Sequence, residues 1–263
     1  MKLGLCTIAF REKPLEEAMA IAADYGFDGV EIWGQEPHTP AVYDAEYVKK
    51  VKDMALRKGL EISALGTYIN PLMPWYQKHL EAAFKIAHGL GAPLVRIWSG
   101  GGPSKIINFE DKRLITFRLA SLAQWAQFRR LTLGLEMHNN NLTDSVASIL
   151  ELIGQVKLPS LKTYYQPAFR PDADDPYEAV QKLAPYIVNV HAQNADASGK
   201  GCPIADGVVD YGKIIEILSA NGYKGYIEVE FVHGDDKLAG LQRDRDYLAS
   251  LIGTLGSSLI PQV

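Results

Sequence analysis

The sequence predicts one α/β domain over residues 1–263, a closed (β/α)8 barrel of the TIM-barrel class. Three observations support this prediction. Short β-rich runs alternate eight times with longer amphipathic runs, over a length that one such barrel commonly occupies. No low-complexity linker interrupts this alternation. The rival fold, an open doubly wound sheet, usually has a GxGxxG turn after its first strand, and nothing in this sequence resembles that turn.

The predicted strands are short runs bounded by turn residues or by helical patterns. In chain order they are Leu3–Ile8, Gly29–Trp33, Leu60–Leu65, Leu94–Trp98, Thr132–His138, Leu161–Gln166, Ile187–Ala192 and Tyr226–Phe231. Each is followed by a predicted helix, and these are Leu15–Tyr25, Ala45–Lys58, Tyr76–Leu90, Asp111–Arg130, Ser145–Val156, Tyr177–Ala184, Tyr211–Asn221 and Leu238–Leu251.

The helices are predicted from apolar periodicity and from glycines that close them. At about 100° per residue, one face of the fourth helix collects four large apolar residues, Leu114, Phe117, Trp125 and Phe128. The last helix does the same with Leu238, Leu241, Leu248 and Ile252. Four helical runs are followed by a glycine, where a left-handed closing residue is favoured: Gly26, Gly59, Gly91 and Gly222.

Side chains along a strand alternate between two faces, and the apolar set should contact the helices. In the fifth strand Leu133, Leu135 and Met137 share that parity, so Glu136 and His138 are predicted to face the barrel interior. The same argument predicts inner-facing residues on five other strands: Glu31, Trp33, Arg96, Trp98, Tyr164, Gln166, Asn189, His191, Gln193, Tyr226, Glu228 and Glu230.

Four of these side chains are expected to meet at the carboxyl-terminal rim of the barrel: Glu136, Gln166, His191 and Glu230. Two carboxylates, an amide oxygen and an imidazole nitrogen are ligands suited to one divalent metal ion, such as Mn, Mg, Zn or Co. A cation would also explain Glu136 within an apolar run, since a buried carboxylate needs a partner.

Other roles for these ligands stay open at this point. Glu136 could pair with Arg96 across the interior, and His191 could donate to a backbone carbonyl. A register error of two residues would make Glu228 the ligand in place of Glu230.

Six residues near the predicted rim are expected to bind substrate: Glu31, Trp33, Arg96, Trp98, Asn139 and Gln193. Glu31 and Trp33 could equally fill the barrel interior. Asparagine runs such as the one that begins at Asn139 also form turns.

Composition narrows the classes of partner. A formal charge of −4 gives no electrostatic footprint for a nucleic acid. No apolar run approaches the length of a membrane span, and Cys6 and Cys202 match no zinc spacing. A cytoplasmic enzyme or binding protein is therefore expected.

Four segments in the correct order resemble the xylose isomerase-like TIM-barrel family of sugar isomerases and epimerases. They are GFDGVEIWG (26–34), GLEMHNN (134–140), IVNVHAQN (187–194) and GVVDYGKIIEILSANGYKGYIEVE (207–230). The resemblance implies a metal held by the glutamate of the second segment, the histidine of the third and the last glutamate of the fourth. These are Glu136, His191 and Glu230.

The chain departs from the family pattern in two places. Gln166, in TYYQPAF, occupies the position of the family's sixth-strand aspartate ligand, so a metal-free barrel is an alternative and Gln166 could bond only the following loop. Phe169 and Ala197 replace a histidine and an arginine of the ketose 3-epimerases. With His138 two residues after Glu136, the segment looks closer to the family's 3-dehydroshikimate dehydratase-like branch.

The resemblance implies a small sugar-like substrate and a possible homo-oligomer. It also implies proton removal α to a metal-bound carbonyl. The favoured hypothesis is an isomerase or epimerase, in which Glu136 and Glu230 move protons on opposite faces of the substrate. The first alternative is a lyase with His138 as its base. The second is a barrel that binds a sugar without turnover.

Overall fold

The computed structural model describes residues 1–258 and confirms the predicted barrel. Eight parallel strands close into one sheet in which the first strand pairs with both the second and the last. The strands are β1 Lys2–Cys6, β2 Gly29–Trp33, β3 Glu61–Gly66, β4 Leu94–Ile97, β5 Thr132–Glu136, β6 Leu161–Tyr165, β7 Ile187–Ala192 and β8 Tyr226–Val229.

Helices surround the sheet, and most of the apolar core lies between the helices and the strands. They are α1 Leu15–Asp24, α2 Ala45–Lys58, α3 Tyr76–Leu90, α4 Phe109–Phe128, α5 Val146–Val156, α6 Pro176–Leu183, α7 Tyr211–Ala220 and α8 Lys237–Ser258. A short antiparallel hairpin, Asn194–Ala195 with Gly201–Cys202, follows β7. Over residues 1–258, none of the helices has the length and hydropathy needed to cross a membrane.

Five predicted strands extend one or two residues beyond the observed sheet at its carboxyl-terminal rim. Two of these segments bond to loops through the amide of their last residue. The amide of Trp98 donates to Ile69 at 2.9 Å, and that of His138 donates to Thr143 at 3.2 Å. Trp98 and His138 therefore lie in the rim loops, just past the strands that were expected to contain them.

Helix α4 begins and ends two residues earlier than predicted, and its large apolar face does not pack on the barrel. Leu114, Phe117, Trp125 and Phe128 are exposed. The buried side chains lie on the opposite face: Ile115, Leu119, Leu122, Ala123 and Ala126. The helix is apolar on two faces, and periodicity alone does not say which of them meets the core.

Glycine makes room inside the barrel at the level of the site. A Cβ on Gly134 would overlap the ring of Tyr164 from the neighbouring strand. One on Gly66 would overlap the Glu31 carboxylate and approach Arg96 Nη2 at 3.0 Å. These two positions thus allow bulky and charged side chains to cross the interior.

Candidate active site

His191 is the centre of the buried polar cluster. Its Nε2 lies 3.1 Å from Glu31 Oε2, and its Nδ1 lies 3.2 Å from Glu136 Oε1 and 3.4 Å from Glu230 Oε1. All four side chains are buried. The ring partners of His191 are thus carboxylates from three other strands or strand ends, and not a backbone carbonyl.

Three of the four predicted metal ligands come together. Glu136, His191 and Glu230 each offer a ligand atom, and these atoms lie within 4.8 Å of one another. Cys6 and Glu31 form a similar group with His191 on its other side. The inner parity assigned to β5, β7 and β8 from the sequence is therefore observed.

Arg96 joins the cluster as a permanent cation. Its Nη1 donates to Glu136 Oε2 at 2.6 Å, and its Nε lies 3.3 Å from Glu31 Oε1. Trp98 Nε1 donates to the same Oε2 of Glu136. The ion pair between Glu136 and Arg96, left open by the sequence, is present, and it explains how this carboxylate is buried.

Burial and neighbouring charges shift the pKa values of the groups in this cluster. Burial alone would raise the pKa of Glu136, yet Arg96 and His191 outweigh it and hold that pKa well below its ordinary value. Burial would lower the pKa of His191, but the Glu230 and Glu31 carboxylates outweigh it and raise that pKa well above its ordinary value. Burial, opposed by His191 and reinforced by Glu136, raises the pKa of Glu230 to about 7.

The donor set fits a divalent cation. Glu230 Oε2 is buried and has no hydrogen-bond partner among the described residues, which is costly for a carboxylate oxygen. Among the described residues, Glu31, Glu136 and Glu230 are buried carboxyl groups in contact with Arg96 or His191. Glu136, His191 and Glu230 are the residues that would hold the ion, provided that His191 is neutral.

Glu228 lies one layer deeper than Glu230, and both of its oxygens have partners. Ser63 Oγ donates to Oε1 at 2.5 Å, and Asn189 Nδ2 donates to Oε2 at 2.7 Å. Burial, reinforced by Glu31, raises the pKa of Glu228 to about 8. Of the two glutamates, Glu230 is therefore the one whose geometry suits a ligand.

Gln166, the fourth predicted ligand, is buried at the same rim, but its amide is already engaged. Its Nε2 donates to the carbonyl of Met137 at 2.7 Å, and its Oε1 accepts from Gln193 Nε2 at 3.0 Å. To ligate a metal through Oε1, Gln166 would share or release its contact with Gln193.

A cavity of about 290 Å³ opens beside this rim, and its wall includes His138, Asn139, Gln166, Phe169 and Gln193. The predicted substrate residues Asn139 and Gln193 thus line an open space. Glu31 and Arg96 are fully buried in the ion-pair cluster and are absent from this wall.

His138 is half-buried and stacks on Trp98, with ring centroids 4.5 Å apart and planes 27° apart. Its Nδ1 lies 2.6 Å from the carbonyl oxygen of Asn139. A carbonyl oxygen only accepts, so the neutral ring carries its proton on Nδ1 and its lone pair on Nε2.

Sequence reasoning missed Tyr68. Its hydroxyl accepts from Trp33 Nε1 at 2.9 Å, its ring meets Trp98 edge-on at 5.2 Å, and Arg96 lies over it at 5.1 Å. The row of rings from Trp33 to His138 is therefore continuous only through Tyr68. Alternation along the third strand could have identified it, because Tyr68 has the same parity as Gly66, which faces the barrel interior at the end of that strand.

The chain is similar over most of its length to enzymes with different reactions. It is 28% identical over 266 residues to a 3-dehydroshikimate dehydratase of Bacillus anthracis, covering 95% of this chain and 90% of that one. It is 24% identical over 260 residues to a putative hydroxypyruvate isomerase of Streptomyces coelicolor, covering 89% and 91%.

A solved structure shares the fold. The crystal structure of a xylose isomerase-like TIM barrel protein of Mycobacterium smegmatis, in complex with magnesium, aligns with a TM-score of 0.77 at 18% identity, covering 96% of this chain and 97% of that one. The family model described as xylose isomerase-like TIM barrel matches residues 19–251. Eight strands, an inner carboxylate cluster and this match agree: the chain belongs to the xylose isomerase-like TIM barrel family.

Proposed function

We propose that this protein is a metal-dependent enzyme that removes the proton α to a carbonyl of a small polyhydroxy substrate and then expels a β-hydroxyl as water. The proposal ranks the lyase above the isomerase that the sequence favoured. One observation carries it: His138 lies in the cavity wall with its Nδ1 on the Asn139 carbonyl, which leaves its lone pair on Nε2, whereas Glu136 is held by Arg96 and Trp98.

The base and the metal ligands are separate groups in this proposal. Glu136, His191 and Glu230 hold the ion, with Gln166 beside them. A divalent ion bound there would polarise the substrate carbonyl and stabilise the negative charge that develops when the α proton leaves. Arg96 balances the charge of Glu136 and Glu31 beneath the site.

His138 performs the proton transfer. Its Nδ1 proton is fixed by the Asn139 carbonyl, and stacking on Trp98 holds the ring plane, so Nε2 takes the α proton. The electron pair of the C–H bond moves onto the carbonyl as the proton leaves, and it then returns to form the C=C bond between the α and β carbons while the β C–O bond breaks. The leaving hydroxyl takes a proton from His138 and departs as water. The full-length similarity to a dehydratase supports this reaction.

An isomerase is the second candidate, and Glu230 favours it. Its Oε2 has no hydrogen-bond partner within residues 1–258, and burial, opposed by His191, raises its pKa to about 7, the range of an effective general base. The similarity to a putative hydroxypyruvate isomerase points the same way. A two-carboxylate epimerase is less favoured, because Glu136 would need to leave Arg96 to take a proton.

The test combines each metal in turn (Mn, Mg, Zn and Co) with 3-dehydroshikimate, and follows the ultraviolet absorbance of an aromatic acid product. We expect turnover by the wild type, a loss of at least about a hundredfold in kcat for His138→Asn, and little change for the control His88→Asn, an exposed helical histidine. Full activity of His138→Asn would eliminate the lyase mechanism.

A second arm separates the candidates. Incorporation of solvent deuterium into hydroxypyruvate without loss of water, abolished by Glu230→Gln and retained in His138→Asn, would establish the isomerase instead. If the protein binds sugars but forms no product and exchanges no solvent deuterium, the third hypothesis remains, a barrel that binds a sugar without turnover.

A further inference from the structure

Helix α4 presents a second apolar face to solvent, which we call the α4 outer face: Leu114, Phe117, Ser121, Trp125 and Phe128. Phe117 is 71% exposed and Phe128 is 87% exposed, while Leu114 and Trp125 are exposed to 37% and 36%. At about 100° per residue this face points away from the barrel, opposite the buried residues Ile115, Leu119, Leu122, Ala123 and Ala126. So large an apolar patch on a surface helix indicates an interaction site.

The spacing along this face is symmetric about Ser121. Leu114 and Phe117 lie seven and four residues before it, and Trp125 and Phe128 lie four and seven residues after it. Two copies of the helix packed antiparallel around Ser121 would set Phe117 against Trp125 and Leu114 against Phe128. The small Ser121 at the centre lets the two backbones approach closely.

The charges on one edge of the face are also complementary under this symmetry. Arg129 lies eight residues after Ser121 and Asp111 ten before it, and both are rotated about 80° from it in the same direction. A two-fold axis at Ser121 would therefore bring Arg129 near Asp111 of the second copy, twice. Arg129 is already held over the Trp125 ring at 5.2 Å. In a two-fold dimer the same surface of both copies meets itself. The symmetric pattern of this face therefore favours a second copy over an unrelated partner.

The face has the extent that a dimer needs. The 20 residues of α4 span about 30 Å. Its border continues onto the start of α3, because Arg118 stacks on Tyr76 at 5.0 Å and donates to the Pro71 carbonyl at 2.6 Å. Trp75, next to Tyr76, is 78% exposed. Stable dimers bury about 800 Å² per partner, which a helix face of this length with its border can supply.

We propose that the protein is a two-fold symmetric dimer in which the α4 outer faces of two copies pack antiparallel around Ser121. The proposal is independent of the reaction, since none of these residues belongs to the polar cluster or to the wall of the neighbouring cavity.

The first test is the mass of the protein in solution by light scattering after gel filtration, at low and high micromolar concentration. We expect twice the chain mass of 29.0 kDa for the wild type and a single chain for Phe117→Asp combined with Phe128→Asp. The control Leu56→Asp changes an exposed leucine of α2 and should remain dimeric. Far-ultraviolet circular dichroism verifies that each variant is folded.

The second test identifies the axis. In a Cys202→Ser background, Ser121→Cys should be joined to a second chain by a short bis-maleimide, because the two thiols face each other across the axis. Glu216→Cys, on an exposed position of α7, is the matched control and should remain single. A monomeric wild type, a dimer that persists in the double aspartate variant, or equal cross-linking of both cysteine variants would overturn the proposal.

Discussion

Arg96 Nη1 lies 2.6 Å from Glu136 Oε2, so the glutamate that the family pattern marks as a metal ligand is also half of a buried ion pair. Its other oxygen, Oε1, faces His191 at 3.2 Å. One oxygen of the carboxylate therefore faces a permanent cation, and the other faces His191 on the side where a metal would bind. These contacts hold the Glu136 side chain in place, and the lowered pKa makes it a poor proton acceptor.

Replacing Arg96 tests this anchoring. In Arg96→Met two buried carboxylates, those of Glu31 and Glu136, lose their cation, and the free energy of unfolding should fall by about 3–5 kcal/mol. Added Mn²⁺ should stabilise the variant more than the wild type, because it supplies the missing charge. Urea unfolding with and without Mn²⁺ measures both effects. The control Arg57→Met, on an exposed position of α2, should change stability little; an equal loss there would contradict the argument.

Glu228, within the eighth strand, and Glu230, just past its end, should differ in metal binding. Glu230→Gln removes the unpartnered oxygen and should weaken Mn²⁺ binding by at least about tenfold. Glu228→Gln alters a carboxylate already bonded to Ser63 and Asn189 and should leave the affinity within about twofold. Calorimetric titration of both purified variants gives the comparison, and the reverse order of affinities would make Glu228 the ligand.

Metal binding should release a proton from His191. Glu230 and Glu31 outweigh the effect of burial and hold the pKa of this imidazole well above its ordinary value, so a metal must displace its proton to bind. Affinity should consequently rise with pH across the neutral range. Calorimetry in buffers of different ionisation enthalpy counts the released protons. Glu230, with its pKa of about 7, should also release part of a proton near neutral pH. Release no greater than that fraction, combined with tight binding, would show that His191 is not a ligand.

Glu228 should make stability fall as the pH rises. Burial, reinforced by Glu31, raises its pKa to about 8, so the folded protein holds a proton that the unfolded chain releases at its ordinary, lower pKa. The stabilising contribution is complete below that ordinary value and is lost as the pH rises towards about 8. In metal-free buffer, Glu228→Gln should reduce this pH dependence. Unfolding curves between acidic and mildly alkaline pH measure it, and identical slopes for both proteins would refute it.

Gly134 should not tolerate a side chain. An added Cβ meets the buried ring of Tyr164, so Gly134→Ala is expected to destabilise the fold by about 1–3 kcal/mol. Gly154→Ala is the matched control, since that helical position has open space around it and should gain about 0.5–1 kcal/mol. Thermal unfolding of the two variants should therefore shift in opposite directions.

Local rules predicted much of the candidate site. Alternation within one strand decides which side chains point inward, so Glu136, His191 and Glu230 could be assigned without knowing their neighbours. The closing glycines followed the same local logic: Gly59 and Gly91 have φ of 68° and 79°, which residues with a side chain rarely adopt.

The sequence by itself determined the barrel, its inner parity and the carboxylates that reach the rim, because periodicity is a property of consecutive residues. Only the tertiary structure decided that Arg96 pairs with Glu136 and that the Gln166 amide bonds to Met137 and Gln193. It also decided which face of α4 meets the core. These outcomes depend on register and rotamer between strands or helices far apart in the chain. Contacts of that kind are set by the packing of the whole barrel, which no single segment encodes.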